Sequence, residues 1–287
     1  MIPVRASPIF FLSLSVAFIS AAYCATNVRE LGPAGVQRSI DLKPCGFATY
    51  DAKVLCGAFD VFEDRAAQAG RKIALSIVVL PALDSKPAPD PVFFLSGGPG
   101  QGAAKIAGAG EDSLMSHLRR QRDLVFVDQR GTGNSHPLNC NLSSDHAAAQ
   151  SYFDELFPPE KVRSCHAALA PSADLKLYTT SIAMADLDEV RAALGYDKIN
   201  LYGISYGTLA ALQYLRQSSK QVRALALAGV ATPAAKLPLH FAKGAQAALD
   251  KLIATAPRTK DATRRFPIYQ QILPKCSPTW ITVRQHS

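Results

Sequence analysis

Clusters of basic residues are missing from the sequence, although its 287 residues carry a formal net charge of +8. Lysine and arginine occur singly or in short pairs, such as Arg119 with Arg120. A nucleic-acid-binding domain needs a basic stripe or a recognisable module such as a zinc knuckle, and neither occurs here. The charge therefore predicts a solvated basic surface and no nucleic-acid partner.

Apolar segments long enough to cross a membrane are missing as well. The apolar run at residues 9–22 is shorter than the ~20 residues that a spanning helix needs. It follows Arg5 and ends in small residues, which is the pattern of a secretory signal. We expect residues 1–24 to be a signal peptide, cleaved after Ala22 or Cys24, and an uncleaved anchor is the alternative. Cleavage predicts a periplasmic or extracellular protein without stable membrane insertion.

Metal-binding spacings are absent among the six cysteines, so we predict no metal and no cofactor. Export favours disulfides instead, because oxidising compartments allow them to persist. Cys45 and Cys56 flank a short segment, and Cys140 and Cys165 flank a polar stretch. Two local disulfides are therefore the economical pairing, with Cys276 left over. Buried free thiols are the alternative.

Alternating strand and helix patterns are what the sequence does contain. Its length and its 48% hydrophobic residues are enough to bury the core of one α/β domain. Short, wholly apolar runs are typical of buried strands in a parallel sheet. Two such runs lie at residues 92–95 and 124–127, and the apolar segment at 222–228 is interpreted as a third buried strand. Other strands are indicated at 61–64, 73–80 and 199–202, and helices at 103–120, with a break around 108–110, at 181–194 and at 206–217. This order predicts an α/β fold with a doubly wound, mostly parallel sheet.

The motif GISYG at residues 203–207 joins a predicted strand directly to a predicted helix. This is the setting of a nucleophile elbow, in which the serine takes a strained backbone conformation and flanking glycines avoid collisions. The serine stands near the N-terminus of the helix, where the N–H of Tyr206 favours a developing oxyanion. We predict Ser205 as the nucleophile, and a structural turn is the alternative.

A glycine-rich loop, SGGPGQG at residues 96–102, follows the first wholly apolar strand. It lacks the Lys-Ser/Thr of a phosphate-binding loop, and Pro99 removes one N–H donor. It matches the second half of an oxyanion hole better, with the backbone N–H of Gly97 or Gly98 joining that of Tyr206. A plain turn is the alternative.

Three motifs in order give the sequence a family resemblance. They are FFLSGGPG at residues 93–100, VDQRGTG at 127–133 and GISYG at 203–207. Together they resemble the prolyl and tripeptidyl aminopeptidase branch of the α/β-hydrolases, from about Cys45 to about Phe266. Residues 178–180, residues 186–191 and the two cysteine pairs are similar to exported tripeptidyl-aminopeptidase-like members in particular.

The resemblance implies an α/β-hydrolase fold and a serine hydrolase whose partner is a peptide substrate. Such an enzyme releases short peptides or residues from a free N-terminus through an acyl-enzyme on Ser205. Ser96 departs from the histidine that the prolyl enzymes usually have, which affects support of the oxyanion loop more than its N–H donors. Asp128 and Arg130 either help to shape the site or form an ordinary buried salt bridge.

A lid is also implied by the resemblance, beginning at about residues 234–266. A helical pattern at residues 237–253 is its candidate first helix, and a surface helix is the alternative. We expect residues 25–266 to be the N-terminal part of a hydrolase domain that lacks the last strands and most of the lid. Residues 267–287 are atypical and include the only tryptophan, which a reading-frame change near Pro267 would explain.

The catalytic acid and base are not identified in this chain. In this fold both follow the nucleophile, and the histidines after Ser205 are His240, within the expected lid, and His286, the penultimate residue. We therefore expect a peptidase that is inactive or severely impaired as the 287-residue chain. A catalytically dead remnant or peptide-binding protein is the alternative, and an esterase of the same fold is a lesser one.

Overall fold

The described part of the chain covers most of the expected hydrolase domain. A computed structural model describes residues 39–46, 54–108, 113–140, 155, 157–234 and 239–255. The expected signal peptide, the atypical tail, Cys276 and His286 lie outside the described residues.

Seven described strands form a single sheet in the order β1-β2-β3-β5-β4-β6-β7. Their bounds are Lys43–Cys45 for β1, Val54–Phe62 for β2, Lys72–Leu80 for β3, Val92–Leu95 for β4, Leu124–Val127 for β5, Ile199–Ile204 for β6 and Val222–Ala228 for β7. The strands β4 to β7 are mutually parallel, whereas β1, β2 and β3 join through antiparallel pairings. Five of these seven strands therefore run in one direction, and the sheet is mixed but mostly parallel.

Helices follow the parallel strands, as the sequence predicts, although the helix at Pro159–Leu169 was not predicted. Their bounds are Ala104–Gly108 for α1, Ser113–Arg119 for α2, Pro159–Leu169 for α3, Thr180–Ala193 for α4, Tyr206–Gln217 for α5 and Leu239–Thr255 for α6. Thr179 caps α4 by accepting the N–H of Ile182, and Gly195 follows its end with a φ of +81°. None of the described helices has the length and apolar character needed to cross a membrane.

The core forms on both faces of the sheet because β4 and β5 are apolar at every residue. Phe93 and Val125 belong to the cluster that packs against α4 and α5 through Met184, Leu187 and Tyr214. On the opposite face, Phe94 and Phe126 stack with ring centres 4.8 Å apart and pack with Ala107 and Met115 of α1 and α2. Adjacent residues of one strand therefore serve opposite faces, which confirms the doubly wound arrangement.

The burial predicted for the third apolar run is wrong, although its strand bounds are right. No residue of β7 is fully buried, and Arg223, Ala224 and Ala226 are exposed. The physical reason is that β7 is the outer described strand and pairs with β6 alone among the described strands. Two further differences are that β2 begins seven residues before the predicted strand, at Val54, and that β1 was not predicted.

Both predicted disulfides are present. Cys45 and Cys56 join the outer strand β1 to β2, and Cys140 and Cys165 join the chain after β5 to α3. The Cα atoms are 5.8 Å apart in each pair, within the usual range for a disulfide. Each bond fixes a segment that has few core contacts of its own.

The double variant Cys45→Ser/Cys56→Ser should unfold more easily than the parent protein. The bond closes a loop with a sequence separation of 11, so its loss should lower the free energy of unfolding by about 3 kcal/mol. Urea unfolding of the oxidised proteins measures this, with Cys276→Ser as the control for removal of a thiol. Peptide mapping without reduction provides the second check, and a Cys45–Cys140 link would contradict the pairing.

Candidate functional site

Ser205 stands at the turn between β6 and α5, and its backbone is strained. Its φ is 54° and its ψ is −119°. Residues other than glycine rarely adopt this conformation with a positive φ. The residue is exposed, and its side chain makes no capping hydrogen bond to α5. The hydroxyl is therefore presented above the sheet at the N-terminus of a helix.

The two glycines of the motif leave room for this turn. A Cβ on Gly203 would lie 2.5 Å from the carbonyl oxygen of Gly207, and a Cβ on Gly207 would lie 2.0 Å from the carbonyl oxygen of Leu95. Real Cβ atoms do not approach so closely. Glycine at both positions is therefore required by the contact between β6, α5 and β4.

Thr208 stabilises the turn at Ser205, a role that the sequence did not indicate. Its buried hydroxyl donates to the carbonyl of Ser205 at 2.6 Å and accepts the N–H of Ala231 at 2.8 Å. The N–H of Ser205 in turn donates to the carbonyl of Ala228 at 2.9 Å. The nucleophile candidate is thus tied to the end of β7 from both sides. Threonine at the third residue of a helix gave no distinctive signal.

The glycine-rich loop lies beside Ser205 because β4 and β6 are adjacent and parallel, with Leu95 paired to Gly203. A Cβ on Gly97 would stand 3.3 Å from the Cβ of Ser205 and 3.8 Å from its Oγ. Gly97 and Tyr206 line one cleft, and Gly98 is not part of its lining. The buried Ser96 hydroxyl donates to the carbonyl of Gln101 and so closes the loop.

The interpretation of Asp128 as half of a buried salt bridge is wrong. Its Oδ1 accepts the N–H of Ala104 at 2.8 Å, and its Oδ2 accepts the N–H of Asn134 at 2.9 Å. A Cβ on Gly133 would lie 2.1 Å from Oδ2. The carboxylate therefore joins the start of α1, just after the glycine-rich loop, to the turn that follows β5.

Arg130 does form a buried salt bridge, but its partner is Asp186 of α4. The Nε to Oδ2 distance is 2.6 Å, and the side chains are 0% and 2% exposed. The same guanidinium donates to the carbonyls of Phe62, Glu63 and Leu177. Arg130 thus holds the β2 end, the segment before α4 and α4 itself together, under the cleft that it helps to line.

Tyr178 is held in place by Glu63, another contact that the sequence does not reveal. Its hydroxyl donates to Glu63 Oε1 at 2.9 Å, and its ring centre lies 5.9 Å from the Arg130 guanidinium. Burial and the neighbouring carboxylate raise the pKa of the Tyr178 hydroxyl, so it remains a donor. Burial alone would raise the pKa of Glu63, but hydrogen bonds from Tyr178, the Asp174 N–H and Arg71 together lower it.

A cleft of about 500 Å³ opens at this edge of the sheet, a size that suits a small ligand. Its lining includes Gly97, Gln101, Arg130, Tyr178, Thr180 and Tyr206. The Tyr206 hydroxyl is hydrogen bonded to Thr180 Oγ1 at 2.7 Å, which joins the nucleophile turn to the first residue of α4. In the described residues, no three His, Cys, Asp or Glu side chains lie close enough together to hold a metal ion.

His240, the first of the two candidate bases, is the second residue of α6. This helix is the one predicted at residues 237–253 as the start of a lid, shifted by two residues. His286 lies outside the described residues. The acid and base of a catalytic triad therefore remain without assigned residues.

Comparison with known proteins gives a consistent family. The family described as the alpha/beta hydrolase fold matches residues 90–265. Serine protease Hip1 of Mycobacterium tuberculosis is 27% identical over 259 residues, which cover 82% of this chain and 49% of the relative. Tripeptidyl aminopeptidase of Streptomyces lividans is 26% identical (72% and 40%), and proline iminopeptidase of Neisseria gonorrhoeae is 28% identical (49% and 32%). The chain spans half or less of the length of these relatives.

Replacing Gly207 by alanine should destabilise the protein through a direct collision with the Leu95 carbonyl. We expect Gly207→Ala to lower the free energy of unfolding by about 2–3 kcal/mol. Gly46→Ala is the matched control, because a Cβ there would meet nothing within 4 Å, and it should change stability by less than about 0.5 kcal/mol. Urea unfolding measures both, and equal stability of the two variants would contradict the close approach.

Acid should weaken the network around Glu63. The pKa of Glu63 is lower in the folded state than its ordinary pKa of 4.5. Its carboxylate therefore stabilises the fold at pH values above 4.5, and this contribution is lost as the pH falls through the lowered pKa. Glu63→Gln should therefore flatten the dependence of unfolding free energy on pH in this acid range. Urea unfolding at several pH values measures the slope, with the exposed Glu160→Gln as the control for net charge. An unchanged slope in Glu63→Gln would contradict the assignment.

Proposed function

Since the chain belongs to the α/β-hydrolase fold family, we propose that it is a serine peptidase of the prolyl and tripeptidyl aminopeptidase branch, with Ser205 as its nucleophile. The observation that carries the proposal is the strained, exposed serine beside Gly97. An ordinary turn has no need of a positive φ at serine, and the cost of that conformation, of order 1–3 kcal/mol, is characteristic of functional sites.

The proposed reaction is acyl transfer from a peptide to Ser205 and then to water. The Ser205 Oγ attacks the scissile carbonyl carbon while a base accepts its proton, and collapse of the tetrahedral intermediate releases the amine, which receives that proton. Water then attacks the acyl-enzyme in the same way, which frees the carboxylate product and restores the serine. Neither step requires a metal or a redox cofactor.

The oxyanion formed in each step is the charge that this site is best arranged to stabilise. The N–H of Tyr206 begins α5, where the helix dipole favours negative charge. We assign the second donor to Gly97 rather than Gly98, because an added Cβ on Gly97 would lie 3.8 Å from Ser205 Oγ, whereas one on Gly98 would meet Gly100 and Gln101 instead. Loss of one such donor commonly lowers the rate by about 10² to 10³.

Short peptides with a free N-terminus are the proposed substrates. Support comes from two relatives, a tripeptidyl aminopeptidase and a proline iminopeptidase. Export to the periplasm or the exterior is also part of the proposal. The two disulfides support it, since such bonds persist in oxidising compartments.

No described residue is assigned as the catalytic base that the proposed reaction needs. Among the described residues that follow Ser205, the one histidine is His240, in the helix proposed to begin a lid. A serine without an oriented base is a weak nucleophile. A peptide-binding protein without turnover is therefore the second candidate function, because the cleft needs no base to bind a peptide.

The 287-residue chain should hydrolyse tripeptidyl coumarin amides slowly, and what turnover exists should depend on Ser205. Because no described residue is assigned as an oriented base, we expect the rate to lie about 10⁴ to 10⁶ below the ordinary range of about 1 to 10³ per second. Added imidazole can accept the serine proton from solution, so turnover should rise with imidazole concentration. Release of the fluorophore measures this, with Ser205→Ala as the inactive variant and the exposed Ser219→Ala as the matched control.

Labelling with a fluorophosphonate probe, located by mass spectrometry, provides an independent check on the nucleophile. A label on Ser205 that increases with imidazole supports the proposal. No label on Ser205 and no serine-dependent turnover would refute the peptidase and leave the peptide-binding protein. Ordinary turnover without imidazole would show that His240 or His286 acts as the base. Turnover of p-nitrophenyl acetate but of no peptide would indicate the esterase.

A further inference from the structure

We propose that the cleft beside Ser205 receives an uncharged side chain of the peptide, next to the bond that is attacked, and that Tyr178 is the residue that selects it. This inference rests on the proposed function, because it identifies the substrate class that the cleft accepts. It is carried by the way in which the charged group and the two tyrosine hydroxyls that line the cleft are already hydrogen bonded.

Arg130 is the cationic side chain in the lining, and it has no N–H left for a ligand. A guanidinium has five N–H donors. Its Nε and Nη2 donate to the two oxygens of Asp186 at 2.6 and 2.9 Å, and the three remaining donors go to backbone carbonyls at 2.8, 3.0 and 3.2 Å. Its charge is also balanced by Asp186. Arg130 therefore does not provide a binding site for a carboxylate.

The hydroxyl groups of the two tyrosines in the lining are also hydrogen bonded within the protein. Tyr178 donates its hydroxyl to Glu63, and Tyr206 shares its hydroxyl with Thr180. The Tyr178 ring also lies against the backbone of Gly131, where an added Cβ would be 2.9 Å from its Cδ1. These contacts fix the rings in place, so each contributes an aromatic surface, and neither hydroxyl is directed to a ligand charge.

A charged side chain that entered this cleft would lose water without gaining an ionic partner from the described lining residues. Such a loss is costly, because a charge is stable away from water only when it is paired. An aromatic or aliphatic side chain instead gains contact with the tyrosine rings. The cleft should therefore discriminate by charge, and acidic and basic side chains should be disfavoured alike.

Binding of matched peptides tests this without any need for turnover. The Ser205→Ala protein is titrated calorimetrically with the amides Ala-Ala-Phe, Ala-Ala-Asp and Ala-Ala-Lys, each with a free N-terminus. We expect the Kd of the phenylalanine peptide to be at least about tenfold below those of the other two. Adding Tyr178→Ala should remove this preference, whereas Tyr178→Phe keeps the ring and should retain it. Thermal unfolding of both variants confirms that they are folded.

Each outcome separates the cleft from the nucleophile. Tightest binding of the aspartate peptide would show that Arg130 is available after all and would overturn the proposal. Equal binding of the three peptides, no binding of any, or a preference that survives Tyr178→Ala would also overturn it. Labelling of Ser205 by the phosphonate does not depend on this side chain. Preferred binding of the phenylalanine peptide without labelling of Ser205 would refute the nucleophile alone. Labelling of Ser205 without that preference would refute the cleft proposal alone.

Discussion

The approach of two backbones at Gly207 and Leu95 is the constraint on which the site depends. An added carbon on Gly207 would stand 2.0 Å from the Leu95 oxygen, so α5 can begin only where no side chain intervenes. This contact sets the distance between the turn at Ser205 and the loop that leaves β4. Because β4 and β6 are parallel neighbours, that loop and the turn emerge at the same edge of the sheet. The nearness of Gly97 to Ser205 follows from these two facts.

Two buried ionic groups connect the segments that surround this edge of the sheet. Asp128 uses its carboxylate on backbone amides, and Arg130 uses its guanidinium on Asp186 and backbone carbonyls. Such groups are stable in the interior because each charge is hydrogen bonded. Two residues of one motif thus perform separate tasks. Asp128 positions the start of α1, and Arg130 connects the β2 end with α4. Neither leaves a charge free in the cleft.

The sequence correctly predicted the strands and the turn whose residue types are set by contacts within a short segment. The bounds of β4 and β5 were predicted because both faces of each strand are covered, so every residue is apolar. The turn at Ser205 was predicted because tight backbone approach requires glycines at fixed spacing. The same reasoning failed for the burial of β7, since a strand's composition does not specify which neighbour covers it.

Contacts between distant residues could not be predicted in this way. Arg130 and Asp186 are 56 residues apart in sequence, and Tyr178 and Glu63 are 115 apart. A motif suggests that an arginine matters without identifying its partner. Asp128 and Arg130 are close in sequence, which made a salt bridge between them or with neighbours plausible. In the fold, α4 supplies the carboxylate because it packs on one face of the sheet.

The hydrogen bond from the Ser205 amide to Ala228 links the strained turn to the outer described strand. The ends of elements can open locally and reversibly. When β7 separates at this end, the Ser205 amide loses its acceptor, and the Thr208 hydroxyl loses the Ala231 amide at the same time. The positive φ at Ser205 can then relax towards an ordinary turn. The strained conformation of Ser205 therefore depends on where the end of β7 lies, although no side chain of β7 takes part in the proposed chemistry.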